Sequence, residues 1–292
     1  MTNWRSKLRH QQTAPGPRRI EPVRKERVLI AVPSEEETFH IAVHNFIQIA
    51  HRMSLHPEFP FHFEHSIKIG ERPIPYARNR LVGDFLRSKC ERLWFIDADM
   101  IPPPELFALL NIDADIVAPR MLALKRDDAG IPRLEICAFK YNLKNDSKFN
   151  AVVPTGPVGL LGDIDAVGTG CTLIKRRVLE DERMWLAPEY EWPPGHKCDL
   201  REEPRNDRWA PPLFRMQYKP NGEHLRGEDL DFCLRAKALG YKVATHLGFS
   251  CGHSKTMNLD DMANYVNACL DRAQKNQAAQ PAEVPRELQC QR

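Results

Sequence analysis

Leu93-Trp94-Phe95-Ile96-Asp97-Ala98-Asp99 is the stretch on which the reading of this 292-residue chain turns. Four large apolar residues in succession suit a central strand covered on both faces, the pattern of a parallel sheet. Carboxylates at the end of such a strand emerge where open α/β sheets receive their ligands. Alternation along an extended backbone puts residues 97 and 99 on one side, so the pair is expected to hold a hard divalent cation through oxygen. Such a cation would neutralise a diphosphate. The same residues admit a plainer part, with Asp97 capping the turn into Pro102-Pro103-Pro104-Glu105, a good helix start.

Outward from that strand the patterns alternate. Val28-Leu29-Ile30-Ala31-Val32 is a buried first strand ended by Pro33, and Ile41, Phe46, Ile47, Ile49, Ala50 and Met53 form a helical stripe. Phe61 to Ile69 alternates as a second strand stopping at Gly70, and Pro75 to Lys89 carries helical spacing. A short helix over Pro104 to Leu110 and a strand over Asp115 to Ala118 follow the Asp97 strand. Strand and helix in turn predict an α/β fold with a mostly parallel central sheet and helices on both faces. Later, Leu134 to Lys140 and Cys171 to Ile174 read as strands, Glu228 to Leu239 as a helix stopped by Gly240, and Tyr241 to Ala244 as a strand. Leu259 to Lys275 reads as a last helix. Residues 183–225 are dense in proline and tryptophan (Trp185, Trp192, Trp209), an excursion whose aromatics argue for order and function.

Apolar residues make up 42% of the chain and charged ones 28%, the proportions of an ordinary globular protein with ample core. No run approaches the roughly 20 apolar residues that span a bilayer, and the first residues lack the apolar segment of a secretory signal. The eight cysteines are scattered without a C-x-x-C pair, so reduced thiols in a cytoplasmic protein are expected. The net charge of +3 conceals an asymmetry: residues 1–27 hold eight basic against two acidic side chains, leaving the body slightly acidic. That proline-bearing arm is expected to be a solvated, disordered tail, with nucleic-acid binding the alternative.

Two further clusters bear on chemistry. Gly227-Glu228-Asp229 opens a helix with Asp231 just inside; acids there are stabilised by the helix dipole, and a rigid carboxylate facing the crevice is also a candidate general base. His253, in Ser250-Cys251-Gly252-His253-Ser254, sits in a turn after a strand. It is either structural or the nitrogen ligand of a mixed N/O cation site beside the two aspartates. A zinc site from His196, Cys198, Cys251 and His253 has poor spacing.

Ala77-Arg78-Asn79-Arg80 before a helix, then Trp94-Phe95-Ile96-Asp97-Ala98-Asp99, resembles the donor half of GT-A glycosyltransferases, particularly the family-2-like group. Asp165-Ala166-Val167-Gly168-Thr169-Gly170-Cys171-Thr172-Leu173-Ile174-Lys175-Arg176 resembles their acceptor-side strand and loop. Pro212-Leu213-Phe214 followed by Gly227-Glu228-Asp229-Leu230-Asp231-Phe232-Cys233-Leu234-Arg235 is similar to their acidic helix, and His253 to their late histidine. The similarity spans about residues 28–255. It implies a GT-A (Rossmann-like) domain over 28–275, with a nucleotide-sugar half at 28–120, an acceptor half at 121–275 and a flexible tail at 276–292.

The resemblance further implies a nucleotide-diphosphate sugar as donor and Mn2+ or Mg2+ held by Asp97, Asp99 and His253. Asp229 would be the base, with Glu228 as second candidate. Pro33, Arg78, Asn79, Asp97, Gly168 and Gly170 would border the nucleotide sugar. Transfer to an acceptor hydroxyl with inversion is expected, in a hexosyltransferase-type enzyme akin to soluble viral or phage members. The chain departs from the group after its second strand: Ile67-Lys68-Ile69-Gly70-Glu71-Arg72 stands where an Asp-Asp-Gly-Ser-like segment usually reads the donor base. With no membrane element, a soluble acceptor is expected. A glycan or protein hydroxyl leads, and a hydroxylated base of DNA, flipped out and stacked on Trp192 or Trp209, is the alternative. An inactive nucleotide-binding module or a nucleotidyltransferase is the remaining alternative, opposed for the latter by the acidic Pro33-Ser34-Glu35-Glu36-Glu37.

Overall fold

The computed structural model describes residues 24–35, 39–126, 132–141, 149–153, 159–185, 211–218, 222, 224–254, 266–267, 269–271 and 274. Seven strands form the central sheet: β1 (Glu26–Ser34), β2 (Phe61–Ile69), β3 (Arg92–Ile96), β4 (Ile116–Arg120), β5 (Leu160–Leu161), β6 (Cys171–Lys175) and β7 (Val243–Ser250). Their spatial order is β5-β7-β4-β6-β3-β1-β2. Strands β1, β2, β3, β4 and β7 run parallel, while β6 lies antiparallel between β3 and β4, and β5 antiparallel on the edge. This is the expected Rossmann-like α/β sheet, mostly parallel, with the strand leading to Asp97 in its interior between β6 and β1.

The run Leu93-Trp94-Phe95-Ile96 is fully buried, and its alternation sends successive rings to opposite faces. On one face Trp94 meets Phe46 of helix α1 (Ile41–Leu55) edge-on, with ring centroids 5.2 Å apart. Phe46 stacks on Phe107 of the 3-10 helix Pro104–Asn111 at 4.5 Å. On the other face Phe95 meets Phe214 edge-on at 5.4 Å, and Phe214 stacks on Phe232 of helix α5 (Glu228–Ala238) at 4.5 Å. Helix α2 (Ile74–Arg87) packs on this second face, and two short helices, α3 (Arg176–Leu179) and α4 (Glu182–Trp185), follow β6. Helices therefore cover both faces.

The stretch Leu134 to Lys140 is not one strand. It breaks at Cys137 into Pro132–Ile136, paired with Leu122–Arg126, and Ala138–Tyr141, paired with Phe149–Ala151 and Ala166–Val167. Cys137 turns both its backbone groups to new partners, donating to Met121 O and accepting from Gly168 N at 2.9 Å each, so the chain changes sheets there. The strand expected over Tyr241 to Ala244 instead begins at Val243 and continues to Ser250. Strand β1 begins at Glu26, two residues before the expected domain start. The described end of the basic arm is spent on the body: Arg24 pairs with Glu91, Arg27 with Glu64, and Lys25 donates to Ser54 O and His56 O. The rest of the arm, Trp192 and Trp209, His196 and Cys198, the tail, and most of the expected last helix lie outside the described residues. Among the described residues no helix is long and apolar enough to cross a membrane.

The return of the Trp/Pro excursion is sewn into the core by Asn79. Its amide donates to Phe214 O and accepts from Phe214 N, both at 2.8 Å, and the side chain is buried. Asn79→Ala would leave both backbone groups of Phe214 buried without partners. It is expected to cost about 2–4 kcal/mol of unfolding free energy, measured by urea denaturation.

Candidate functional site

Strand β3 ends at Ile96, and the chain turns at once. Asp97 N donates to Gly170 O at 2.7 Å, Met100 N to Asp97 O at 3.0 Å, and Met100–Ile101 then pairs with Gly252–His253. Because residues 97–99 form a turn rather than extended strand, strand alternation does not set the directions of their carboxylates. Asp97 directs both oxygens at Arg78 Nη2, at 3.0 and 2.7 Å. Asp99 Oδ2 lies 3.0 Å from His253 Nε2, and Ser254 N donates to Asp99 O at 2.8 Å. Thus Asp99 and His253 come together, while Asp97 is engaged elsewhere. Among the described residues, no three of His, Cys, Asp and Glu gather closely enough to hold an ion by themselves.

Arg78 sits in the second turn of α2 with its side chain only 5% exposed. Its Nη2 holds Asp97 and its Nη1 holds Glu228 at the start of α5, so one guanidinium joins segments 150 residues apart. Burial disfavours its charge, but Asp97, Glu228 and Asp229 outweigh that and raise its pKa. Asp231, one turn into the same helix, is buried and takes no part: Arg235 Nε donates to it at 2.8 Å. The three acids opening α5 therefore divide, with Glu228 clamping Arg78, Asp231 holding the helix to its neighbours, and Asp229 left at the crevice.

Asp229 accepts from Leu230 N at 2.8 Å. Burial, then the charge of Glu228, push its pKa up to about 6, against a smaller opposing pull from Arg78. The loop before β6 supplies the facing wall. A Cβ on Gly168 would stand 3.2 Å from Cys137 Cβ and 3.9 Å from Asp229 Oδ2. One on Gly170 would stand 2.7 Å from Met100 Cε and 3.3 Å from Asp97 Oδ2, so a larger residue there would require the Met100 side chain to move. Thr172 Oγ1 donates to Gly168 O at 2.8 Å and fixes the turn. Thr169, between the two glycines, is buried with its hydroxyl unpartnered.

Arg78, Asp97, Gly168, Gly170, Glu228 and Asp229 thus lie together in one cluster at the end of β3, with Asp99 and His253 paired beside the turn that leads out of it. Asn79 serves the Phe214 backbone, and Pro33 is buried within β1 opposite Lys68. Sequence reasoning did not single out Met100, Met121 or Thr169. The only available signal for them was their place beside the motif acids and glycines.

No protein-family profile matches the chain, and no curated protein matches it. Among solved structures it is similar to the crystal structure of A197 from STIV, at 15% identity and a TM-score of 0.42, over 79% of this chain and 86% of that one. It is similar to GalNAc-T7 with UDP, GalNAc and Mn2+, at 12% identity and a TM-score of 0.38, over 86% of this chain and 48% of that one. It is similar also to the inositol-1-phosphate CTP transferase from T. maritima, at 10% identity and a TM-score of 0.33, over 84% of this chain and 96% of that one.

The raised pKa of Asp229 sets a stability window. Between its ordinary value of 3.8 and about 6, the folded protein keeps a proton that the unfolded chain has lost, so stability falls as pH rises through that range. Above it, ionised Asp229 is a standing cost. Asp229→Asn keeps an oxygen for Leu230 N and is expected to be more stable than the parent by up to about 3 kcal/mol at neutral pH. That difference should close towards about pH 4 in urea unfolding. Arg78→Met removes the cation that holds Asp229 down, so the Asp229 pKa should move above its value of about 6 in carboxyl carbon NMR titration. The same change strands Asp97 and Glu228 and is expected to destabilise the fold by about 3–5 kcal/mol.

Proposed function

We propose that this protein is a cation-assisted glycosyltransferase that moves a sugar from a nucleoside-diphosphate sugar to an acceptor hydroxyl with inversion. The observation that carries the reading is the single cluster in which Arg78 binds Asp97 and Glu228 while Asp229, with its raised pKa, lies next to Gly168. Glycines at 168 and 170 suit close approach of a ring to backbone. A carboxylate whose pKa is lifted towards neutrality is a stronger proton acceptor than an ordinary aspartate and is still ionised at neutral pH. Glu228 is committed to Arg78, which favours Asp229 as the base.

In this reading Arg78 and Asp97 order the rim on which the diphosphate rests, and Asp229 receives the acceptor proton as the hydroxyl oxygen bonds to the anomeric carbon. The bond from that carbon to the diphosphate oxygen breaks with its electron pair. Direct displacement of this kind requires one base and no second carboxylate nucleophile. Asp99 and His253, an oxygen and a nitrogen donor 3.0 Å apart, fit a divalent ion such as Mn2+ or Mg2+. Bound there, the ion would supply charge stabilisation to the departing diphosphate. The crevice supports that need: Asp97, Glu228 and Asp229 outnumber the single Arg78, and a diphosphate without a countercharge would be repelled.

Calorimetric binding of a panel of nucleoside diphosphates and their sugars, with and without Mn2+, tests the donor side. At least one is expected to bind only with the ion, and Asp99→Ala and His253→Ala should abolish that dependence. With a productive pair in hand, Asp229→Asn is expected to lower kcat by about 10²–10⁴, and parent activity should rise with pH through about 6. Binding indifferent to the ion, or full turnover by Asp229→Asn, would refute the assignment.

A further inference from the structure

On the far edge of the sheet from β5, two imidazoles meet outside the crevice. His51 lies on α1 and His65 on the edge strand β2; His51 Nε2 and His65 Nδ1 are 2.9 Å apart, and their ring centroids 5.1 Å apart at 78°. Neither ring is used by the core or by the chemistry proposed above. Two nitrogens aimed at one another need a proton between them, and the same lone pairs can instead converge on a metal. A tetrahedral ion with Zn–N bonds of about 2.05 Å holds two nitrogens about 3.3 Å apart. The observed pair therefore has to open by only about 0.4 Å, while the protons move to the outer ring nitrogens.

The scaffold under the pair is fixed. Ser54 Oγ donates to Ala50 O at 3.0 Å and accepts from Phe63 N at 2.9 Å, which ties the last turns of α1 to β2. His51 directly follows Ala50, and His65 lies two residues beyond Phe63. Each ring offers one nitrogen lone pair to the shared space when the imidazole is neutral. His65 is exposed, leaving room for water to complete a coordination shell.

We propose that His51 and His65 form a two-imidazole chelate for a late first-row divalent ion of the Zn2+ class, separate from the crevice. Imidazole pairs favour such ions over hard Mg2+, whose preferred ligands are oxygens. The site requires no nucleotide and does not depend on the glycosyltransferase reading.

The full-length, tag-free, metal-stripped protein titrated with Zn2+ at neutral pH tests this, with histidine ring nitrogens followed by NMR. The His51 and His65 signals are expected to shift together at the first equivalents, and excess Mg2+ should not reverse the change. His65→Gln, at an exposed position, should keep the fold and weaken Zn2+ binding at this pair by at least about tenfold, and the His51→Gln/His65→Gln double variant should lose it. His253→Gln should leave those signals unaffected. If the signals of His51 and His65 stay put while Zn2+ binds elsewhere, or if the double variant binds Zn2+ as the parent does, the chelate is refuted.

Discussion

The crevice depends on one buried guanidinium. Arg78 has almost no access to water, so its charge is tolerable only while Asp97 and Glu228 remain within hydrogen-bond reach. That mutual requirement fixes three pieces of chain at once: the second turn of α2, the end of β3 and the first turn of α5. A surface ion pair would fix little, because solvent competes for both partners. Here the low-dielectric surroundings make the contacts strong and their loss costly, and Asp229 inherits its position from its neighbour Glu228.

Much of the first half of the fold was legible because its strands and helices announce themselves by period. The continuous apolar run at residues 93–96 and the alternation at 61–69 gave strands within a residue or two of those observed. The stripes from Ile41 to Met53 and from Pro75 to Lys89 likewise gave helices, observed at Ile41–Leu55 and Ile74–Arg87. The second half resisted because most of its strands, β7 apart, are two to five residues long and change partners by backbone contacts that carry no side-chain signature. Cys137 is the instructive case. Nothing in Leu134 to Lys140 marks a break, yet the backbone hydrogen bonds of Cys137 to Met121 and Gly168 split the strand between two sheets. Similarly, β6 runs against β3 and β4, a reversal that apolar patterning cannot reveal.

Among the residues identified by motif, Arg78, Asp97, Gly168, Gly170, Glu228 and Asp229 lie together while Pro33 and Asn79 do not, and the partnerships were invisible in sequence. Asp97 and Asp99 look equivalent as written; a tight turn after Ile96 sends one to Arg78 and the other to His253. Asn79 stands next to Arg78, yet roughly 100° per residue around a helix turns it away from the crevice and onto the Phe214 backbone. The three acids of α5 are separated by the same geometry: residue 231 reaches Arg235 one turn on, and residues 228 and 229 face the sheet. A spacing identifies which chemistry is available, and only the turn geometry decides which group receives it.

The crevice also shows why these acids are kept despite their cost. Asp229 sits where burial and Glu228 both oppose its ionisation, and Arg78 only partly relieves it. Replacing Asp229 by an apolar residue would ease repulsion while Arg78 kept both Asp97 and Glu228, so stability alone does not account for Asp229. The loop opposite is packed close: a methyl group on Gly170 would press on Met100 Cε and Asp97 Oδ2. Thr169 between the glycines keeps a buried hydroxyl without a partner. The charge of Asp229 and the unpartnered hydroxyl of Thr169 each carry a cost that packing does not repay. In the function proposed above both costs would be offset at one place, the hydroxyl by a hydrogen bond to the sugar and the carboxylate by the proton it receives.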